Sequence, residues 1–72
     1  MNKEEALKKI GLKITELRER KNITQQELAY RCDFEKSNMS RIEKGKTNLT
    51  IGTLLKICEA LNVKLIDLVN LE

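Results

Sequence analysis

Proline, tryptophan and histidine are absent from this chain, and Tyr30 and Phe34 are its only aromatic residues. With no proline and only three glycines in 72 residues, turn-rich β structure has little support and helices are favoured. With no histidine and no CxxC pair, a structural zinc site has too few ligands, so no metal or other cofactor is expected. A cysteine nucleophile would lack its usual histidine base, and no phosphate-binding glycine loop or acidic metal cluster is present. An enzyme is therefore the least supported class, and no small-molecule ligand is indicated. The two isolated cysteines, Cys32 and Cys58, suit a reducing compartment, where they serve as small core hydrophobes. No apolar run approaches the roughly 20 residues of a membrane span. The charged opening Met1-Asn2-Lys3-Glu4-Glu5 leads into no signal-peptide core, so a cytoplasmic location is expected.

What is present is aliphatic. Hydrophobic residues make up 40% of the chain, and with so few aromatics Leu and Ile must supply the packing. A chain this short, without disulfide or metal, must rely on one compact core, and residues 1–72 read as a single domain. Fourteen basic against eleven acidic side chains leave a net charge of +3, a weak pointer to a polyanionic partner.

Helical periodicity runs through the chain. Asn2 and Glu5 have capping-box spacing, and Leu7, Ile10, Ile14 and Leu17 follow at helical intervals, predicting a helix from about Lys3 to Lys21. Gly11 weakens that helix by about 1 kcal/mol relative to alanine, which suggests that another helix approaches closely there. After the break at Lys21-Asn22, Thr24 and Glu27 form a second capping box, with Ile23 placed to staple onto Leu28. That helix buries Leu28, Ala29 and Cys32 and stops near Asp33. A third runs from about Lys36 to Lys44, with Met39 and Ile42 inward, Phe34 anchoring the turn before it, and Gly45 left-handed at its end. Thr50 caps a fourth over Ile51 to Leu61, carrying Leu54, Leu55, Ile57, Cys58 and Leu61, and Asn62 terminates it. A short fifth covers Leu65 to Val69.

The second and third helices are short and joined by about three residues, as in a helix-turn-helix. The outer face of the third presents Ser37, Ser40, Arg41 and Lys44, with Lys36 at its tip. Glu35 and Glu43 border that face, and no acid lies at its centre. Short hydroxyls allow close approach to a major groove, and Lys and Arg reach guanine acceptors or phosphates.

The ordered run Leu17-Arg18, Thr24-Gln25-Gln26-Glu27-Leu28-Ala29, Met39-Ser40-Arg41-Ile42-Glu43-Lys44-Gly45, followed by Asn48-Leu49-Thr50, Thr53-Leu54-Leu55-Lys56-Ile57 and Ala60-Leu61-Asn62-Val63, resembles the phage repressor and Cro family of helix-turn-helix domains. The resemblance spans about Ile10 to Val69. It implies an all-α, compact five-helix fold like that of lambda repressor, and sequence-specific binding of double-stranded DNA by a regulator of transcription, most simply a repressor. By the same resemblance Lys36, Ser37, Asn38 and Arg41 match base-reading positions. Gln25, Ser40, Lys44, Lys46 and Asn48 match positions that approach DNA phosphates, and Arg18 with Glu43 matches a structural ion pair. Two positions depart from the family's pattern: Glu35 stands where a Ser or Thr cap is common, and Asp33 replaces a common turn glycine. The same fold also occurs in antitoxin-like and bridging proteins whose main contact is another protein, and that is the alternative reading.

The segment Leu65-Ile66-Asp67-Leu68-Val69-Asn70-Leu71 is rich in large apolar residues. Leu65 and Leu68 match the family's core positions, which leaves Ile66, Val69 and Leu71 in need of cover. We read these three as a homodimer interface. The competing arrangement folds Val69 and Leu71 back onto the first helix at Leu7 or Ile10.

Overall fold

The computed structural model describes residues 1–72 and contains five helices: α1 (Lys3–Arg20), α2 (Gln25–Cys32), α3 (Lys36–Glu43), α4 (Ile51–Leu61) and α5 (Leu65–Val69). Their starts follow from side chains that accept the otherwise orphaned first N–H groups. Asn2 Oδ1 accepts from the Glu5 N–H at 2.8 Å, Thr24 Oγ1 from Glu27 at 3.0 Å, and Thr50 Oγ1 from Thr53 at 3.1 Å. At α5 the bond runs the other way, from the Lys64 N–H to Asp67 Oδ2 at 2.9 Å. Only α3 starts without any such bond, because Glu35 turns no side-chain oxygen onto it.

The four longer helices end alike. Just past each, one residue turns left-handed: Asn22 at φ 57°, Asp33 at 60°, Gly45 at 73° and Asn62 at 56°. Asparagine and aspartate tolerate this region better than other side chains. The following N–H then reaches back to the last turn, Ile23 to the Arg18 carbonyl at 3.1 Å, Phe34 to Ala29 at 2.8 Å, Lys46 to Arg41 at 2.9 Å and Val63 to Cys58 at 3.0 Å. Three of those four residues, Ile23, Phe34 and Val63, are apolar and pack on the core. The fourth is Lys46, which is exposed. Because Lys21 and Lys44 serve as the caps ahead of these left-handed residues, α1 and α3 each stop one residue short of the sequence reading.

Every helix sends side chains to one core. Ile14, Leu28, Met39, Ile42, Ile57, Leu61 and Leu68 are fully buried, and α1 packs on α3 and α5 while α2 packs on α3 and α4. No buried side-chain nitrogen or oxygen is left without a partner. The Cα radius of gyration is 10.9 Å, close to the roughly 11 Å of a compact chain this long.

Gly11 marks the place where two helices meet backbone to backbone. A Cβ there would land on the Glu43 carbonyl oxygen and lie 2.7 Å from that of Ile42, so only glycine lets α1 lie directly on the end of α3. Gly45 permits a second close approach just beyond α3. Besides its positive φ, a Cβ there would sit 2.7 Å from the Lys8 Cα. Leu55, on the apolar run of α4, is exposed together with Ile51 one turn before it.

Candidate nucleic-acid interface

The α2–turn–α3 unit owes its shape to Asp33, whose left-handed backbone ends α2 so that α3 can set off in a new direction three residues later. Met39 and Ile42 are buried beneath α3. On its outer side Lys36, Ser37, Arg41 and Lys44 are exposed, with Asn38 and Ser40 half-buried at the edges. Of the two acids that border that face, Glu43 points inward and is 7% exposed, while Glu35 is exposed at the N-cap, just before the helix begins. The outer face of α3 therefore offers three cations and short polar side chains, with no carboxylate among them.

Glu43 is held by three side chains from two neighbouring helices, Arg18 and Thr15 of α1 and Gln25 of α2. Arg18 Nε donates to Oε2 at 2.8 Å and Arg18 Nη2 to Oε1 at 3.0 Å, with the two side chains only 11% and 5% exposed. Gln25 Nε2 donates to Oε1 at 3.0 Å. The Thr15 hydroxyl lies 2.9 Å from the same oxygen and 3.0 Å from the Gly11 carbonyl, and its single proton serves one of them at a time. Arg18 Nη1 also reaches the Ile23 carbonyl at 2.9 Å, which ties the turn before α2 into the cluster. The hydrogen bonds to Glu43 outweigh desolvation and raise the Arg18 pKa, so the guanidinium stays charged and the fork geometry is kept. One carboxylate at the end of α3 thus fixes α1, α2 and α3 relative to one another.

Gln25 stands at the first position of α2, half-buried. Its amide has a second N–H and a carbonyl oxygen beyond the bond to Glu43. Lys46 and Asn48 are exposed on the loop after α3. Sequence reasoning missed Thr15 and the Gln25–Glu43 bond. The available signal was slight: Thr15 and Arg18 lie three apart on one helical face.

The apolar residues near the C-terminus are exposed to different degrees. Ile66 is 56% and Val69 36% exposed, and both line one shallow surface groove with Met1. Leu71 is half-buried and lines one surface hollow with Lys9, Leu12, Lys13 and Glu16 of α1, a hollow that neither Leu7 nor Ile10 borders. Cys32 and Cys58 are buried and unpaired, and burial pushes both thiols above their ordinary range. No three Cys, Asp or Glu side chains gather where a metal could sit, and no helix is long and apolar enough to cross a membrane.

Five helices around one core, with a short cationic helix held outward by its neighbours, define a helix-turn-helix domain of the DNA-binding type. The chain belongs to the Cro/C1-type helix-turn-helix DNA-binding domain family, whose pattern matches residues 13–72. It is 36% identical over 62 residues to an uncharacterised HTH-type transcriptional regulator of Sinorhizobium fredii, covering 86% of this chain and 80% of that one. It is 34% identical over 61 residues to the control protein C.BamHI of Bacillus amyloliquefaciens, covering 83% and 75%. The crystal structure of the restriction-modification controller protein C.AhdI from Aeromonas hydrophila superposes with a TM-score of 0.83 at 31% identity, covering 86% of this chain and 94% of that one. The chain is accordingly a sequence-specific DNA-binding regulator of transcription.

Proposed function

We propose that α3 enters the major groove of a DNA half-site and that two copies of the chain bind together, silencing a promoter by occupying it. The observation that carries this reading is the outer face of α3, cationic and free of carboxylates, held rigid from behind by the Arg18–Glu43 cluster. Lys36, Ser37, Asn38 and Arg41 are the residues we assign to base edges. Gln25, Ser40, Lys44, Lys46 and Asn48 are assigned to the phosphates that fix the register. Two helix N-termini add favourable dipoles, those of α2 and of α3, the latter with no side-chain cap over it.

A single short helix reads too few base pairs to select among genomic sites. Two copies related by a two-fold axis read half-sites about one helical turn, or roughly 34 Å, apart. Ile66 and Val69, with Leu71 beside them, are the surface we assign to that pairing. A chain with this task works in the cytoplasm, alongside the DNA it controls. Restriction-modification control is one such task, supported by the likeness to two controller proteins.

The test is selection of bound duplexes from a random double-stranded pool. A two-fold symmetric consensus is the expected result. Recovery of no enriched sequence, with binding that ignores salt, would overturn the reading in favour of a protein-interaction module, because phosphate contacts release counterions and must respond to salt.

A further inference from the structure

A second cationic surface adjoins the outer face of α3, and some of it lies outside residues 13–72, the portion matched to the family. The first two turns of α1 and the loop after α3 enclose an open groove of about 700 Å³. Lys3 and Lys8 line one side, Lys46, Thr47 and Asn48 the other, and Arg41 of α3 stands at its edge. Four cations and two neutral hydrogen-bonding side chains thus face one space. Its one carboxylate, Glu4, is paired with Lys8 at 3.5 Å, and both side chains are largely exposed. An exposed pair of that kind is worth little and exchanges readily for a stronger anion.

Two independent features build this groove. Gly45 lacks the Cβ that would strike the Lys8 backbone, so α1 lies directly against the loop and brings its lysines within reach of Lys46. At the position where α1, α2 and α4 fold back an apolar Ile23, Phe34 or Val63 onto the core, α3 has Lys46, which projects into the groove instead. An apolar residue at that position would turn onto the core as the other three do and leave the groove one cation short.

Resting on the reading that α3 docks in the major groove, we propose that this groove seats the DNA backbone just outside the half-site, with Lys3 and Lys8 as phosphate contacts. Continuity decides the occupant. A duplex that brings base edges to Arg41 continues past it, and its phosphates are the anions that arrive at the adjoining groove. Lys3 and Lys8 therefore lengthen the footprint and strengthen binding without reading sequence.

The experiment compares the unaltered protein with Lys3→Gln/Lys8→Gln on a selected duplex, measuring affinity against salt. Each lost phosphate contact should make the log–log slope shallower by roughly one unit. The variant should bind several-fold more weakly in low salt while selecting the same consensus. Trimming the duplex to the half-site edge should weaken the unaltered protein and leave the variant unaffected. A matched variant, Lys9→Gln/Lys21→Gln, removes the same charge away from the groove and should keep both the slope and the dependence on duplex length. Equal slopes for the unaltered protein and Lys3→Gln/Lys8→Gln would overturn the groove while leaving α3 in place, as would an equal loss in the matched variant. No salt-sensitive binding by the unaltered protein would instead overturn the DNA reading, and the groove with it. All four lysines are on the surface, and unchanged melting curves establish that each variant is folded.

Discussion

Removing the Glu43 carboxylate would leave donors from Arg18 and Gln25 aimed into a space that water scarcely reaches. The pair itself contributes little net stability, because taking two charges out of water offsets most of their attraction. Deleting one partner is a different matter, since the survivor stays buried without compensation. Glu43→Ala is expected to cost about 3–5 kcal/mol. For a domain of this size each kcal/mol lowers Tm by roughly 4–8 °C, so much of the fold's margin would go. Glu43→Gln keeps an acceptor for Gln25 and should fall between the two. Thermal melts without DNA check both, and a Glu43→Ala curve that coincides with the unaltered protein's would show the cluster to be dispensable. Gln25 belongs to the same scale: its Nε2 is engaged with Glu43, so the side chain is already oriented before a phosphate arrives.

At the scale of the element, α3 and the loop that follows it carry two kinds of cation with separable effects. Arg41→Ala and Lys36→Ala should each cost about 1–3 kcal/mol on the selected site and relax its consensus. Lys46→Ala should weaken every duplex alike and flatten the salt dependence by roughly one unit. Repeating the selection with each variant separates the two classes, and an unchanged consensus for Arg41→Ala and Lys36→Ala would mean that α3 does not read bases. Helix limits were legible in the sequence because capping is local: Asn2, Thr24 and Thr50 each need only a partner three residues on. Gly11 was legible as a close approach, since a glycine within an apolar helical stripe has few other uses. The Glu43 cradle was legible only in its Arg18 half, because Thr15 and Gln25 reach that carboxylate only after three helices have packed. The exposure of Leu55 was hidden for a similar reason: helical periodicity assigns a side chain to a stripe but cannot say how wide a stripe the neighbouring helices cover. Lys3 and Lys8 gave no sign, since their nearness to Lys46 depends on what Gly45 lacks.

For the whole molecule, the exposed apolar surface around Ile66 and Val69 bears on assembly. Sedimentation at tens of micromolar should give a dimer, and Ile66→Ser/Val69→Ser should shift it to monomer and remove cooperative binding to the selected palindrome. A monomer in both cases that binds without cooperativity would sink the assignment. Leu71 is a weaker contributor, because it is already half-buried within one copy. The crossing of α1 and α3 at Gly11 has a consequence for the DNA as well. It is a contact of backbone on backbone, with no side chain between the helices to compress or change rotamer. Two turns along α1, Arg18 fastens the same pair of helices a second time, roughly 10 Å away at 1.5 Å per residue. On α3 both fastenings fall at its Ile42–Glu43 end, and the fully buried Met39 one turn earlier holds the rest of that helix to the core, so the tilt of the reading helix is set by its packing before any encounter. In the symmetric pair proposed above, α3 would not retilt to absorb a mismatch between the spacing of the two heads and the pitch of the duplex, which would fall to the pairing surface and to curvature of the DNA. Selected duplexes should then be enriched, between the half-sites, in pyrimidine–purine steps that bend easily, at base pairs no side chain touches.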